Sequence, residues 1–408
     1  MSQQTFVIVG ASLTGATAAA ALRKGDGDAR IVLIGAEQER PYERPPLSKE
    51  YLRGDPKASK PYVHDEGYYA EHDIDLRTGT RATAFDPAAR TVTLEGGEQV
   101  SYDALLLATG AENKQLPLPG VDLPGVVSLR TMGESEALQK AARGAGRVAV
   151  IGAGWIGSEV AASVRQLGAD VAIIAPEQYP LERVLGPEVG GVYKTLQAEH
   201  GIEQHYTTGV ERIEGSDRAS GVRTSDGQVV EADLVVVGVG VRPRTELAEA
   251  AGLEVDNGVV VDEYLATSAD GVYAAGDIAN AWNPLLEQRI RVEHWANARS
   301  QGEWAARNML GEHTAYQKVP YFFSDQFDLG MEYNGYATDW DRVVLRGDVE
   351  GREFLAFWLK GGRVLAGMNA NIWDAGDDIK ALVKARAEVD PERLADTSVP
   401  LAELAPRG

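Results

Sequence analysis

The sequence predicts an α/β chain with two dinucleotide-binding units and a smaller α+β domain at its C-terminal end. Three observations predict it. A strand, a glycine turn, a helix and a second strand occur in that order twice, about 140 residues apart. Two further apolar strands end in glycine. After residue 320 the chain turns aromatic and alternates polar with apolar residues.

The first unit opens with the β-rich run Thr5–Val9. Gly10 to Gly15 follows, then the Ala-rich stretch 16–23, read as a helix, and the strand 31–34. The second unit repeats this with the strand Arg147–Ile151, the turn at 152–157, a helix over 158–167 and a strand over 171–174. The spacing marks a duplication, because solenoid periods are about 20–50 residues. The strands Ala104–Leu107 and Leu234–Val237 run into Gly110 and Gly238. In the C-terminal segment, strands are expected over 342–346, 354–359 and 363–365, with a closing helix near 377–387. The expected domains are 1–112 with 242–319, then 113–241, then 320–408.

Composition narrows the chemistry. The chain has 408 residues and no cysteine, so redox disulfides, thiolate metal sites and cysteine nucleophiles are excluded. The six histidines show no metal-ligand spacing, so no metal is expected. A formal net charge of −21 argues against nucleic acid as a partner. No apolar run is long enough to span a bilayer, and no basic and then apolar leader opens the chain, so a cytoplasmic protein away from membranes is expected.

Gly152-Ala153-Gly154-Trp155-Ile156-Gly157 is a complete G-x-G-x-x-G between strand and helix. Its first glycine serves the tight turn, its second lets backbone approach a pyrophosphate, and its third lets helix and strand pack closely. Gly10-Ala11-Ser12-Leu13-Thr14-Gly15 is an imperfect copy with Ser12 at the second glycine, so a small hydroxyl is expected to point toward the phosphates. Glu37, about 20 residues on, is placed for ribose hydroxyls. Asp277, after Gly276 at the end of the strand 272–275, is placed for a sugar-alcohol hydroxyl. Apart from any family likeness, Lys49 reads as a surface lysine and Glu159 as a helix-start acid. Trp295 reads equally well as a core aromatic.

Four blocks together resemble the FAD-dependent ferredoxin reductases of bacterial oxygenase systems. They are Gly10–Gly15, Arg44-Pro45-Pro46-Leu47-Ser48-Lys49, Gly152–Gly157 followed by Glu159, and Tyr273-Ala274-Ala275-Gly276-Asp277. Tyr321-Phe322-Phe323-Ser324-Asp325-Gln326 is similar to that family's entry into its C-terminal domain. The resemblance covers essentially the whole chain. It implies a glutathione-reductase-like architecture with two Rossmann-like domains, FAD in the first and a nicotinamide nucleotide in the second. The FAD-binding set it implies is Gly10, Ser12, Leu13, Thr14, Gly15, Ala36, Glu37, Arg44, Lys49, Ala82, Thr109, Gly110, Arg130, Gly276, Asp277 and Trp295, with Glu293 near the nicotinamide. The nucleotide set is Gly152, Gly154, Ile156, Gly157, Glu159, Glu177, Arg183 and Gly240. Lys49 would pair with Glu159 near the flavin N5 edge.

The chain departs from the family pattern at Ser12, at Phe323 where relatives often carry tryptophan, and at Ala175. NADH users usually place an acid where Ala175 stands, and Glu177 two residues later is its expected substitute. This favours NADH, with NADPH kept as the alternative donor and Arg183 as the nearest basic residue. The implied activity is hydride transfer from NADH to FAD, then single electrons to an iron–sulfur ferredoxin serving an oxygenase. Rubredoxin or monodehydroascorbate reduction, and partner binding as in apoptosis-inducing-factor relatives, are the alternatives. Arg289, Arg291, Lys380, Lys384 and Arg386 are the candidate positions for meeting an acidic ferredoxin.

Overall fold

The computed structural model describes residues 3–56, 58 and 60–404. The chain groups into two compact units. One comprises 1–43, 60–112 and 241–320, and the other 44–59, 113–240 and 321–408.

The first unit is built on a five-stranded parallel sheet. Its order is Val272–Ala274, Ala104–Leu107, Thr5–Val9, Arg30–Ile34 and Ile74–Arg77. These strands are near-continuous Val, Ile and Leu because helices and loops cover both faces. The helix Leu13–Gly25 runs longer than its Ala-rich centre at 16–23. It packs on the helix Trp295–Met309, and a Cβ on Gly302 would lie 2.4 Å from the Thr14 carbonyl oxygen. A three-stranded antiparallel meander, Ala82–Asp86, Thr91–Leu94 and Gln99–Ser101, and a second small sheet, Val259–Val261, Ala279–Asn283 and Gln288–Ile290, add to the same core.

The second unit repeats the parallel sheet, in the order Glu203–Tyr206, Asp170–Ala175, Arg147–Ile151, Leu234–Val237 and Val126–Val127. Its helix Trp155–Gln166 starts three residues before the expected 158–167 and ends one residue short of it. The C-terminal sheet is antiparallel throughout, ordered Tyr321–Gln326, Leu329–Gly335, Arg363–Ala370, Glu353–Lys360 and Arg342–Asp348. The strand expected at 363–365 therefore continues to Ala370, and the aromatic block at 321–326 is itself a strand. Period-2 patterning accounts for its two covered faces. Phe322, Tyr333, Met331, Trp358 and Met368 pack on one side with Leu185, Val189, Tyr193 and Leu196 of the helix Glu182–Glu199. On the other side lies the helix Gly376–Lys384, which ends three residues before the expected 387. Ile379 of that helix packs so closely on Gly367 that a Cβ there would lie 2.6 Å from it.

Candidate active site

In both parallel sheets the predicted residues gather where strands end. Gly10–Gly15 follows Thr5–Val9, Ala36 and Glu37 follow Arg30–Ile34, Thr109 and Gly110 follow Ala104–Leu107, and Gly276 and Asp277 follow Val272–Ala274. All these strands are parallel, so their C-terminal ends share one edge of the sheet, the usual ligand edge of open α/β sheets. The second unit places Gly152–Gly157, Glu177 and Gly240 the same way, beyond Arg147–Ile151, Asp170–Ala175 and Leu234–Val237.

The glycines have separable reasons. Gly10 has φ +125°, and a Cβ there would stand 2.0 Å from the Ala108 carbonyl oxygen. A Cβ on Gly15 would meet the Gly10 carbonyl oxygen at 2.0 Å. Gly152 and Gly157 repeat both conflicts, at 2.4 Å from the Gly238 oxygen and 2.1 Å from the Gly152 oxygen. Gly154 is different, for no protein atom lies within 4 Å of its would-be Cβ. It begins the helix Trp155–Gln166 with no side-chain cap. Ser12 begins the helix Leu13–Gly25, also without capping it. Its hydroxyl turns instead to the Tyr42 carbonyl, at 3.5 Å. That contact sits at the limit of a hydrogen bond, and the backbone N–H groups at the helix start are further donors.

Glu37 accepts from the Tyr42 hydroxyl. Asp277 stands beside a chain of paired groups, where Arg291 donates to its backbone carbonyl at 3.2 Å and meets Glu293 at 2.5 Å. Arg289 donates to the Val261 carbonyl at 2.6 Å. Both arginines, candidates for a docking patch, thus brace their own unit. Lys380 lies 3.5 Å from Asp377 and over the Tyr321 ring. Trp295 is half-buried, and its indole N–H is buried without a protein partner among the described residues. Its neighbour His294 is held neutral, with desolvation pushing its pKa down to about 4 against the opposing pull of Asp277. Thr109 donates to the Arg244 carbonyl at 2.9 Å, and Ala82 begins the meander.

In the second unit Arg44 and Arg130 come together. Arg44 donates to the Arg130 carbonyl at 2.5 Å. Arg130 is braced in turn, because Glu134 closes a capping box with Thr131 and also accepts the Arg130 backbone N–H at 2.8 Å. Glu177 pairs with Arg183 at 2.7 Å, the carboxylate mostly covered and the guanidinium exposed. Ile156 is exposed for so apolar a residue.

Lys49 and Glu159 are neither a surface lysine nor a free helix-start acid. Both are buried, at 5% and 4% exposure, and their charged atoms meet at 2.9 Å. The proline-rich 3₁₀ turn Pro45–Ser48 delivers Lys49, and the helix Trp155–Gln166 delivers Glu159. Ser48 donates to the same carboxylate oxygen at 2.5 Å and Ser324 to the other at 2.7 Å. Lys49 also reaches the Pro45 carbonyl at 3.2 Å and lies 5.6 Å from the Phe323 ring. Neither serine was picked out from sequence as part of a site. Both sit inside quoted blocks, one beside Lys49 and one in the aromatic Ser-Asp-Gln run.

Residues 4–302 match the pyridine nucleotide-disulphide oxidoreductase model, and 321–405 match the reductase C-terminal model. The chain belongs to the pyridine nucleotide-disulphide oxidoreductases. It is 41% identical to the anthranilate 1,2-dioxygenase system ferredoxin–NAD(+) reductase component of Burkholderia cepacia, over 98% of this chain and 99% of that one. It is 39% identical to rhodocoxin reductase of Rhodococcus erythropolis, over 97% and 93%. Among solved structures, the ferredoxin reductase for the CYP199A2 system of Rhodopseudomonas palustris matches with a TM-score of 0.94 at 36% identity, covering 99% of this chain and 100% of that one. The covalent putidaredoxin reductase–putidaredoxin complex matches with a TM-score of 0.94 at 34% identity, covering 99% and 98%. The chain is therefore an oxidoreductase, and its family implies FAD and a nicotinamide nucleotide. With no cysteine it carries no redox disulfide, despite the family's name. Among the described residues no helix is long and apolar enough to cross a membrane, and no cluster of His, Cys, Asp and Glu is arranged to hold a metal ion.

The residues present suit those cofactors chemically. Two helix starts lack side-chain caps behind glycine turns, which suits anionic pyrophosphate. The open space at Gly154 is room that packing does not require, and the unpartnered Trp295 N–H is a donor awaiting an acceptor.

Proposed function

We propose that this chain is an FAD-dependent NADH:ferredoxin reductase of an oxygenase system. The observation that carries the proposal is the buried Lys49–Glu159 pair in a chain with two glycine-turn cradles and no cysteine. FAD, when bound, would supply the two-electron to one-electron chemistry that links NADH to an iron–sulfur partner.

The protein's own work is binding and positioning. Residues 1–112 with 242–319, which hold the first parallel sheet, are the FAD domain. Gly10 to Gly15 gives backbone donors to its pyrophosphate, Glu37 its ribose contact, and Asp277 a hydroxyl contact. Ala82, Thr109, Gly110 and Trp295 complete its surroundings. Residues 113–241 form the nucleotide domain, with Gly152, Gly154, Ile156, Gly157 and Gly240 around the nucleotide. Glu177 accepts the ribose hydroxyls, and its pairing with Arg183 supports NADH, because the nearest arginine is already neutralised. Residues 320–408 form the C-terminal domain. Lys49 supplies a fixed positive charge, and no side chain acts as a nucleophile.

The test is steady-state turnover with NADH or NADPH as donor and a [2Fe–2S] ferredoxin as acceptor. NADH-driven ferredoxin reduction well above the NADPH rate supports the reading. Turnover with small quinones or ferricyanide alone counts against it.

A further inference from the structure

Glu159 gathers side chains from three separate stretches of the chain. Lys49 and Ser48 come from the segment after Arg44, Ser324 comes from the first strand of the C-terminal sheet, and Glu159 itself stands in the first turns of a helix. A buried carboxylate is costly unless its oxygens are hydrogen-bonded. Three donors meet it: the Ser324 hydroxyl donates to one carboxylate oxygen at 2.7 Å, while Ser48 at 2.5 Å and Lys49 at 2.9 Å share the other.

The serines are themselves held. The Ser48 carbonyl accepts from the Ser163 hydroxyl at 2.6 Å, and Arg53 donates to that hydroxyl at 3.3 Å. Ser324 is 1% exposed and lies in the strand register opposite Met331, so its hydroxyl has little freedom. Hydroxyls are costly in such surroundings unless bonded.

We propose that Ser48 and Ser324 are positioning residues, whose hydroxyls hold the Glu159 carboxylate in one orientation and so fix the Lys49 ammonium in one place. The proposal deepens the reductase reading, which gives that ammonium its purpose. The other charged groups around the pair are Asp325, Glu50 and Arg53, with the buried phenol of Tyr193 facing Glu159 and Asp325. Desolvation raises the Asp325 pKa, Lys49 opposes that rise, Glu159 and Glu50 add to it, and Arg53 lowers it. Burial also keeps the Tyr193 phenol neutral. Neither neighbour replaces a lost hydroxyl, since Asp325 repels a second carboxylate and the Tyr193 hydroxyl has no hydrogen-bond partner among the described residues.

The test is the ammonium nitrogen resonance of Lys49, followed by heteronuclear NMR in the purified protein and assigned with Lys49→Arg. A buried ammonium held in place by its partner exchanges its protons slowly and gives a resolved cross-peak, whereas one that wanders loses the signal to exchange with water. Ser324→Ala and Ser48→Ala should each abolish that cross-peak, and Ser324→Thr, which keeps the hydroxyl, should restore it. A cross-peak of parental intensity in both alanine variants while only the melting temperature falls would show the serines to be ordinary packing and overturn the proposal. The resonance is readable whether or not NADH reduces the protein, so failure of the reductase reading and failure of this inference are separate results.

Discussion

The turns at 10–15 and 152–157 are built alike and differ at their middle position. In each, the first glycine takes a positive φ against a neighbouring carbonyl, and the third lets a helix press on the turn that precedes it. Those four glycines are demanded by the fold, because a Cβ on any of them would sit 2.0–2.4 Å from a backbone oxygen. The middle position answers to something else. Ser12 occupies it in the first turn without strain, and Gly154 in the second has open space around its missing side chain. A three-glycine motif thus holds two glycines that the fold demands and one that packing does not require.

The largest expected effect is at the structural positions. Gly157→Ala and Gly15→Ala should each destabilise the protein by about 3 kcal/mol or more, because the clash is with backbone that cannot rotate away. Denaturant unfolding checks this, and a melting curve like that of the parent would break the distinction.

Next comes an acid effect in the first unit. His294 has its pKa pushed down to about 4 by burial. Between its usual value near 6.5 and 4, the unfolded chain takes a proton that the folded chain refuses. Stability should therefore fall as pH falls through this window, by roughly 3 kcal/mol at its lower end. His294→Gln should flatten that slope in urea unfolding at pH 7, 5.5 and 4.5, and an unchanged slope would place the acid sensitivity elsewhere.

Gly154→Ser should leave the melting temperature nearly unchanged while weakening nicotinamide nucleotide binding about tenfold, roughly 1.4 kcal/mol. Calorimetry reads it, and unchanged affinity would mean that the middle glycine serves no ligand. The smallest effect is expected for Ser12→Gly. The 3.5 Å contact to Tyr42 sits at the limit of a hydrogen bond, so stability and FAD retention should change by less than about 1 kcal/mol. A large loss of FAD would show that the Ser12 hydroxyl turns to the cofactor after all.

The same contrast explains what could be read from sequence. The strand–turn–helix units were legible because their glycines and apolar runs are local signals. The Lys49–Glu159 pair was not, since 110 positions separate the two residues and only family likeness joined them. Ser48 and Ser324 were harder still, because a serine has no pattern until a buried carboxylate is placed beside it. The helix Glu182–Glu199 escaped notice behind Gly186, Pro187, Gly190 and Gly191, which look like breakers. Gly186 does break it, with φ +76°, and the Leu185 carbonyl is taken up by the Trp358 indole at 3.1 Å. A partner far along the chain thus repairs a break that the local sequence announces.

The most direct measurement is an anaerobic titration of the purified protein with NADH, followed in the visible flavin band. The account predicts a yellow protein that bleaches at about one equivalent of NADH, as a two-electron donor requires. A yellow protein that NADH leaves unbleached, or a colourless one that takes up no FAD, would contradict it.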